Sequence, residues 1–314
     1  MGARSCLGLA LAALLSSAKV STEGPAPASR DLQGMWTNST ATPLQRPPDL
    51  ANKPFFTPEE AAEYERTAVT RLLSAFSEED RLAADLNETY LETQTMKVVG
   101  DLRTSLIVDP PNGRLPDLLP QAEARAAARP PRSFDDPETL FLDERCLVSA
   151  AFGASNAVPP LVPNPFGLNY YQIVQTPTHV MIFSELVHDA RVIRINGTHL
   201  PPSVRRWLGD SIGYWENDTL VVDTTNFRPD THFRGSGERL HVVERFTRVD
   251  ASTIRYRVTV EDPDTWATPW TAEIPFKSTG ERMFEYACHE GSRAVENFMR
   301  GARDEERRGV RKTR

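Results

Sequence analysis

Glu244 is the residue whose position most demands a chemical explanation. It lies in Arg239–Val249, where apolar and polar residues alternate, and a second alternating run, Thr253–Asp262, follows the turn residues Asp250-Ala251-Ser252. With that loop, Val249 faces Thr253, and the pairs Phe246–Tyr256, Glu244–Val258, Val242–Val260 and Leu240–Asp262 follow. One face of the hairpin then carries Leu240, Val242, Phe246, Ile254, Tyr256, Val258 and Val260, with Glu244 and Asp262 among them, and faces inward. The other, with His241, Arg245, Arg255, Arg257 and Glu261, is wet. A carboxylate on an apolar face is costly to ionise, so its pKa rises unless an arginine or several donors hold it charged. A raised carboxyl serves general acid–base catalysis, and a buried ion pair is the alternative. On the catalytic reading, Glu244→Gln folds normally and loses turnover.

Glu185, His188, Asp189 and Arg191 cluster around one expected hairpin, with His188 able to exchange a proton near neutral pH. Asp223 lies in a further strand, so the candidate catalytic set is Glu244, His188, Glu185, Asp223 and Asp262. Structural alternatives stand beside it: Asp189-Ala190 as a turn, His188 as a satisfied strand-end histidine, and Asp262 as the anchor of its own turn before Pro263. Tyr170, Tyr171, Trp215, Tyr256 and Trp270, with Arg191, are candidate ligand contacts, because their bodies are apolar and their tips polar; the alternative is that the aromatics are core. The six histidines include no pair at i, i+2 or i, i+4, so no metal site is expected. No nucleophile elbow, phosphate loop or dinucleotide glycine pattern occurs, which argues against phosphoryl and nicotinamide chemistry and leaves no cofactor expected.

Arg4, the apolar run Leu7–Leu15 and the small residues Ser16-Ser17-Ala18 read as a secretory signal peptide over 1–18, and residues 19–30 as a linker. The run is too short to span a bilayer, so a secreted or periplasmic protein without a membrane span is expected. Cys146 and Cys288 then remain as a pair for a disulfide; two free thiols, or a nucleophilic Cys288 beside His289, are the alternatives. The formal net charge is −7 despite a basic tail over 301–314, which argues against nucleic acid as a partner.

Eight candidate strands between Tyr170 and Phe276, cut by turn residues every eight to twelve positions, are enough for a small barrel or a sandwich. Leu32–Trp36 opens an earlier strand and Thr104–Asp109 another. Thr57–Asp80 reads as a helix capped by Thr57 and Glu60, with Ala61, Tyr64, Ala68, Leu72 and Phe76 on a face that should pack on the sheet. Short helices are expected at Gln121–Ala128 and Pro201–Leu208, and a terminal one at Ser292–Arg308. The organisation is one domain over 31–300 between linker and tail.

The run Trp207-Leu208-Gly209-Asp210-Ser211-Ile212-Gly213-Tyr214-Trp215-Glu216-Asn217-Asp218-Thr219-Leu220-Val221-Val222-Asp223-Thr224-Thr225-Asn226-Phe227 resembles the signature of an uncharacterised family of exported bacterial proteins. Tyr286-Ala287-Cys288-His289-Glu290-Gly291 fits the same signature, whereas Asn217 stands where a glycine is expected. No activity common to that family is established, so this resemblance implies no catalytic residue. Gly34-Met35-Trp36 is similar to the first strand of lipocalin-like barrels, which implies an antiparallel up-and-down β-barrel with a C-terminal helix on its wall and a small-molecule cavity; the helix read at Thr57–Asp80 adds an N-terminal helical decoration. The functional expectation is an exported barrel holding a small, mostly apolar or aromatic molecule and performing cofactor-independent acid–base chemistry of isomerase, cyclase or lyase type. A non-catalytic carrier of such a ligand is the alternative.

Overall fold

The computed structural model describes residues 30–74, 77, 96–128, 134, 136–140, 142, 144–148, 158–164, 167–229 and 233–309. The expected signal peptide, the linker except Arg30, His232 and the last five residues of the tail lie outside the described residues. Alternation of apolar residues in the sequence emerges as ten strands: β1 Gly34–Thr37, β2 Ile107–Asp109, β3 Tyr170–Gln175, β4 His179–Ser184, β5 Ala190–Ile195, β6 Asp210–Glu216, β7 Thr219–Thr225, β8 His241–Asp250, β9 Thr253–Glu261 and β10 Trp270–Ser278. They follow the order β1-β3-β4-β5-β6-β7-β8-β9-β10-β2, and β1 also pairs with β10, so nine strands close a barrel. β1 takes the C-terminal half of β10 and β2 the N-terminal half, so β2 patches the seam that the short β1 leaves open. The mainly-β barrel with a C-terminal helix is the expected fold, and closure decides between the barrel and the sandwich that the alternation had left open.

One pairing departs from the antiparallel expectation. β5 and β6 are parallel, with Arg194 opposite Ile212 and Ile195 opposite Gly213. Parallel neighbours cannot be joined by a hairpin, so residues 196–209 cross the outside of the wall from one barrel end to the other. The helix expected at Pro201–Leu208 does not form there: the crossover is turns, held by Asn226 Nδ2 on Leu200 O at 2.9 Å and by the Arg206 N–H on Asn226 O at 3.0 Å. Side-chain and cross-strand partners take the backbone groups that a helix would have paired internally.

The β8–β9 register matches expectation at Phe246–Tyr256, Glu244–Val258 and Val242–Val260. The turn itself differs: Asp250 rather than Val249 faces Thr253, because a bulge between Arg248 and Asp250 absorbs the extra residue. In the β6–β7 hairpin Asn217 adopts φ 52°, the left-handed conformation that a glycine would supply and that asparagine tolerates.

Strand directions bring the β4–β5, β7–β8 and β9–β10 connections, the start of β3 and the end of β1 to a single end of the barrel, called here the near end. Inside, Tyr171, Phe246, Tyr256 and Phe276 form an aromatic cluster, with centroids 4.8 Å apart for Phe246–Tyr256 and 5.2 Å for Tyr171–Phe276. Among the described residues four α-helices decorate the barrel: α1 Pro58–Arg66, α2 Ala68–Ser74, α3 Pro120–Ala127 and α4 Ala294–Arg307, the last crossing the expected boundary between domain and tail. Thr57 and Glu60 form the expected capping box of α1. Its apolar face does not reach the barrel core: Ala61 and Tyr64 pack with Phe56, Val98 and Leu50 in a separate cluster. Cys146 and Cys288 are disulfide-bonded with Cα atoms 5.8 Å apart, which ties the segment after β10 to the chain before β3.

Candidate functional site

The inward face of β8 delivers Glu244 to the barrel interior, fully buried, and the inward face of β5 delivers Arg191, 3% exposed. The two form a bidentate pair, Nη1 to Oε2 at 2.5 Å and Nη2 to Oε1 at 2.8 Å. Tyr256, next along β9, donates its hydroxyl to Glu244 Oε1 at 2.9 Å and accepts the Leu161 N–H at 3.0 Å. Asn38, just past β1, donates through Nδ2 to Leu161 O at 3.0 Å and lies 3.5 Å from the Tyr171 hydroxyl. Leu161 is thereby gripped at both backbone groups, which holds the buried residues 158–162 against this polar centre. Burial would lower the Arg191 pKa, but the Glu244 charge and its hydrogen bonds outweigh that and raise it. Burial, reinforced by Glu244, pushes the Tyr256 hydroxyl well above its ordinary range.

Toward the same end of the barrel lie polar atoms that are not satisfied. Ser184 Oγ, Arg191 Nε, Asn38 Oδ1 and Asp189 Oδ2 are buried and have no hydrogen-bond partner. The register gathers them at the near end: Ser184 is opposite Tyr171, its N–H bonds Asp189 O at 2.9 Å, and Arg191 follows two residues later on β5. Burial pushes the Asp189 carboxyl up to about 6, against the opposing pull of His188.

Glu244, Arg191, Tyr171 and Tyr256, all expected site residues, therefore converge. The remaining ones do not. Glu185 and His188 stand at the edge of the same hairpin but fasten the segment after β10: Glu185 Oε1 accepts the Phe284 N–H at 2.8 Å, and His188 Nδ1 meets Tyr286 O at 2.8 Å. Asp262 is committed to its turn, accepting from the Gly237 N–H at 2.7 Å, Thr265 Oγ1 at 2.8 Å and the Asp264 N–H at 3.0 Å. Tyr170 faces away from its buried neighbour Tyr171. Trp215 lies half-buried under the Arg30 guanidinium at the end of β6, and Trp270 is fully buried between Phe233 and Trp266.

Asp223 belongs to a second constellation on the outer wall. Arg194 holds the fully buried Asp210 through both nitrogens, at 2.9 and 3.0 Å. His199 bridges Asp210 Oδ2 at 3.1 Å and Asp223 Oδ1 at 2.9 Å, and His241 Nε2 reaches Asp223 Oδ2 at 3.1 Å. Burial would raise the Asp210 pKa, but bonds from Arg194, the Leu200 N–H and His199 hold it at about 2. Burial likewise opposes, and His241 and His199 outweigh it, in lowering Asp223. Hydrogen bonding to Asp223 raises His241. This chain clamps the crossover to the wall. The outward alternation placing Asp223 and His241 on neighbouring strands was readable in the sequence, but His199 sits in the crossover and had no such signal. Among the described residues no group of His, Cys, Asp and Glu is arranged to hold a metal ion. No family model, curated protein or solved structure matches this chain.

Proposed function

We propose that this is an exported protein that binds a small molecule at the near end of its barrel, with the ligand's polar head seated on the Arg191–Glu244–Tyr256 centre. The observation that carries the reading is the group of buried, unpartnered polar atoms on Ser184, Asp189, Arg191 and Asn38. A core built for stability alone pairs such atoms, because each left unpaired costs about 1–3 kcal/mol. The Arg191 charge is already matched by Glu244, so the fitting head is neutral: an acceptor for Arg191 Nε and Ser184 Oγ beside a donor for Asn38 Oδ1. The neighbouring aromatic cluster suits an apolar or aromatic body. Residues 158–162 lie against this seat, and the ligand enters by displacing them. The Cys146–Cys288 disulfide fits an oxidising compartment.

Carriage is the leading activity, because Glu244, the expected general acid or base, is engaged by Arg191 and Tyr256. Asp189 favours a second reading as a cofactor-independent isomerase, cyclase or lyase, since a carboxyl near 6 can exchange protons at neutral pH. Native mass spectrometry of protein purified from the exported fraction tests binding. A co-purifying neutral molecule of drug-like size, released on unfolding, is the expected result; protein that is empty from every source and takes up no neutral aromatic amide or phenol at millimolar concentration contradicts it. Turnover of that molecule, lost in Asp189→Asn, would mark the enzyme.

A further inference from the structure

A separate feature of the near end lies outside the interior centre. Gln45, Arg114, Leu115, Leu118, Arg234 and Trp266 line an open cavity of about 560 Å³, with Pro116 and Asp117 completing its rim. That volume is within the range of small-molecule sites. Its wall is firmly placed: Leu118 bridges to Trp266, and the Leu119 N–H bonds Thr265 O at 2.9 Å. Arg234 sits on the short turn Phe233–Gly235 in a left-handed conformation, φ 47°, which a non-glycine residue adopts at a cost. Both neighbours are anchored. Phe233 stacks on Trp270 at 6.0 Å, and Gly235 O accepts from Arg125 Nη2 at 3.0 Å while the same guanidinium holds Thr265 Oγ1 at 2.9 Å.

Arg234 is half-buried, its Nε is shielded from solvent without a hydrogen-bond partner, and no carboxylate pairs with it among the described residues. Burial lowers its pKa with no neighbouring charge to offset the effect. Arg191 and Arg194, by contrast, have Glu244 and Asp210 beside them. A partly desolvated, unmatched cation on a strained turn destabilises the free protein, and an anionic ligand is what would compensate it. The rim adds the exposed Arg114 and the exposed Asp117, so the cavity's formal charge is +1 and matches a singly charged ligand better than a polyanion.

We propose that this cavity binds an organic monocarboxylate with an apolar body, the carboxylate paired with Arg234 and the body lying against Leu115 and Leu118 beside the edge of Trp266. Guanidinium and carboxylate match in a two-point fork, and the two leucines offer most of the apolar contact. This site is distinct from the interior seat, so it stands or falls independently of that reading.

The test uses the full exported chain and three probes, 1-naphthoate, indole-3-acetate and octanoate, each against its neutral carboxamide, by calorimetry. Trp266→Phe assigns any change in the fluorescence of the five tryptophans. The expected result is saturable binding of at least one of these carboxylates, weakened by about tenfold or more in its carboxamide and in Arg234→Met, and weakened as salt rises. Arg234→Met keeps the side-chain length and removes an unmatched charge, so its thermal midpoint should hold or rise. Arg234→Lys, which keeps the charge and loses the fork, should bind with intermediate affinity. Ser184→Ala should leave this binding unchanged, which separates it from the interior site. Equal affinity for carboxylates and carboxamides, undiminished binding in Arg234→Met, or no saturation by any probe would overturn the proposal; if Arg234→Met does not fold, undiminished binding in Arg234→Lys does so.

Discussion

Glu244 shows how far a single residue is determined by its strand and where that determination stops. Alternation alone places it inward, because a shift of one residue would expose Val242, Phe246 and Val258 together, and it is fully buried while His241 is partly exposed. Its partner was not legible: Arg191 lies 53 residues away on a strand whose neighbours alternation does not specify. The pair reverses the expectation that Glu244→Gln folds normally. Removing one partner leaves the Arg191 charge buried and unmatched, so Glu244→Gln should lower unfolding free energy by about 3–5 kcal/mol in denaturant titration. Replacing both, Arg191→Met with Glu244→Leu, should cost less than the single change; a larger loss in the double variant would count against this account. On the outer wall, His241 gives a pH signature. Its folded pKa lies above the ordinary 6.5, so its contribution is complete below that value and is lost as pH rises through the folded pKa. Unfolding curves across neutral pH should therefore show a decline in wild type that His241→Gln lacks.

Hairpins were legible as elements because turn residues and alternation agree there. β8 and β9 pair as expected through most of their length, with a bulge shifting only the turn. The parallel β5–β6 contact was not, because alternation encodes which face a residue occupies and not the direction of the neighbouring strand. The same limit made the crossover look helical. Gly209, at its end, has a steric requirement that the motif alone does not explain: φ is 72°, and a Cβ there would lie 2.7 Å from Thr224 Cγ2 and 2.9 Å from Thr225 O. Gly209→Ala should destabilise by about 2 kcal/mol or more, because the strained φ and the backbone clash act together. A change within measurement error would mean that the crossover relaxes freely and is not clamped by the Asp210–His199–Asp223 chain.

Across the whole molecule, the disulfide is a long-range covalent tie between segments outside the strands. It spans 142 residues and holds the chain after β10, itself fastened to Glu185 and His188, against the chain before β3. The chain-entropy model assigns such a loop about 4–5 kcal/mol, so reduction should lower the thermal midpoint by several degrees and increase protease access at residues 279–293 first. An unchanged midpoint after complete reduction would show that the barrel is indifferent to the tie. The sequence makes the barrel, the inward carboxylate and the cysteine pair readable, since each rests on local patterning or simple pairing. The orphaned polar atoms at the near end were not readable, because Ser184, Asp189 and Asn38 are ordinary residues until the closed sheet denies them water and partners.

Those atoms also give the most direct test of the central claim, that the near end is organised for a ligand rather than for stability. Ser184 is 1% exposed and its hydroxyl has no partner, so Ser184→Ala removes a buried polar atom that the free protein does not use. The measurement is a paired one on wild type and Ser184→Ala: unfolding free energy without ligand, and affinity for the co-purifying molecule by calorimetry. Ser184→Ala should be as stable as wild type or more so, by up to about 1 kcal/mol, and should bind at least about tenfold more weakly. A variant that loses stability and binds as tightly as wild type would contradict it, and would make Ser184 part of the core.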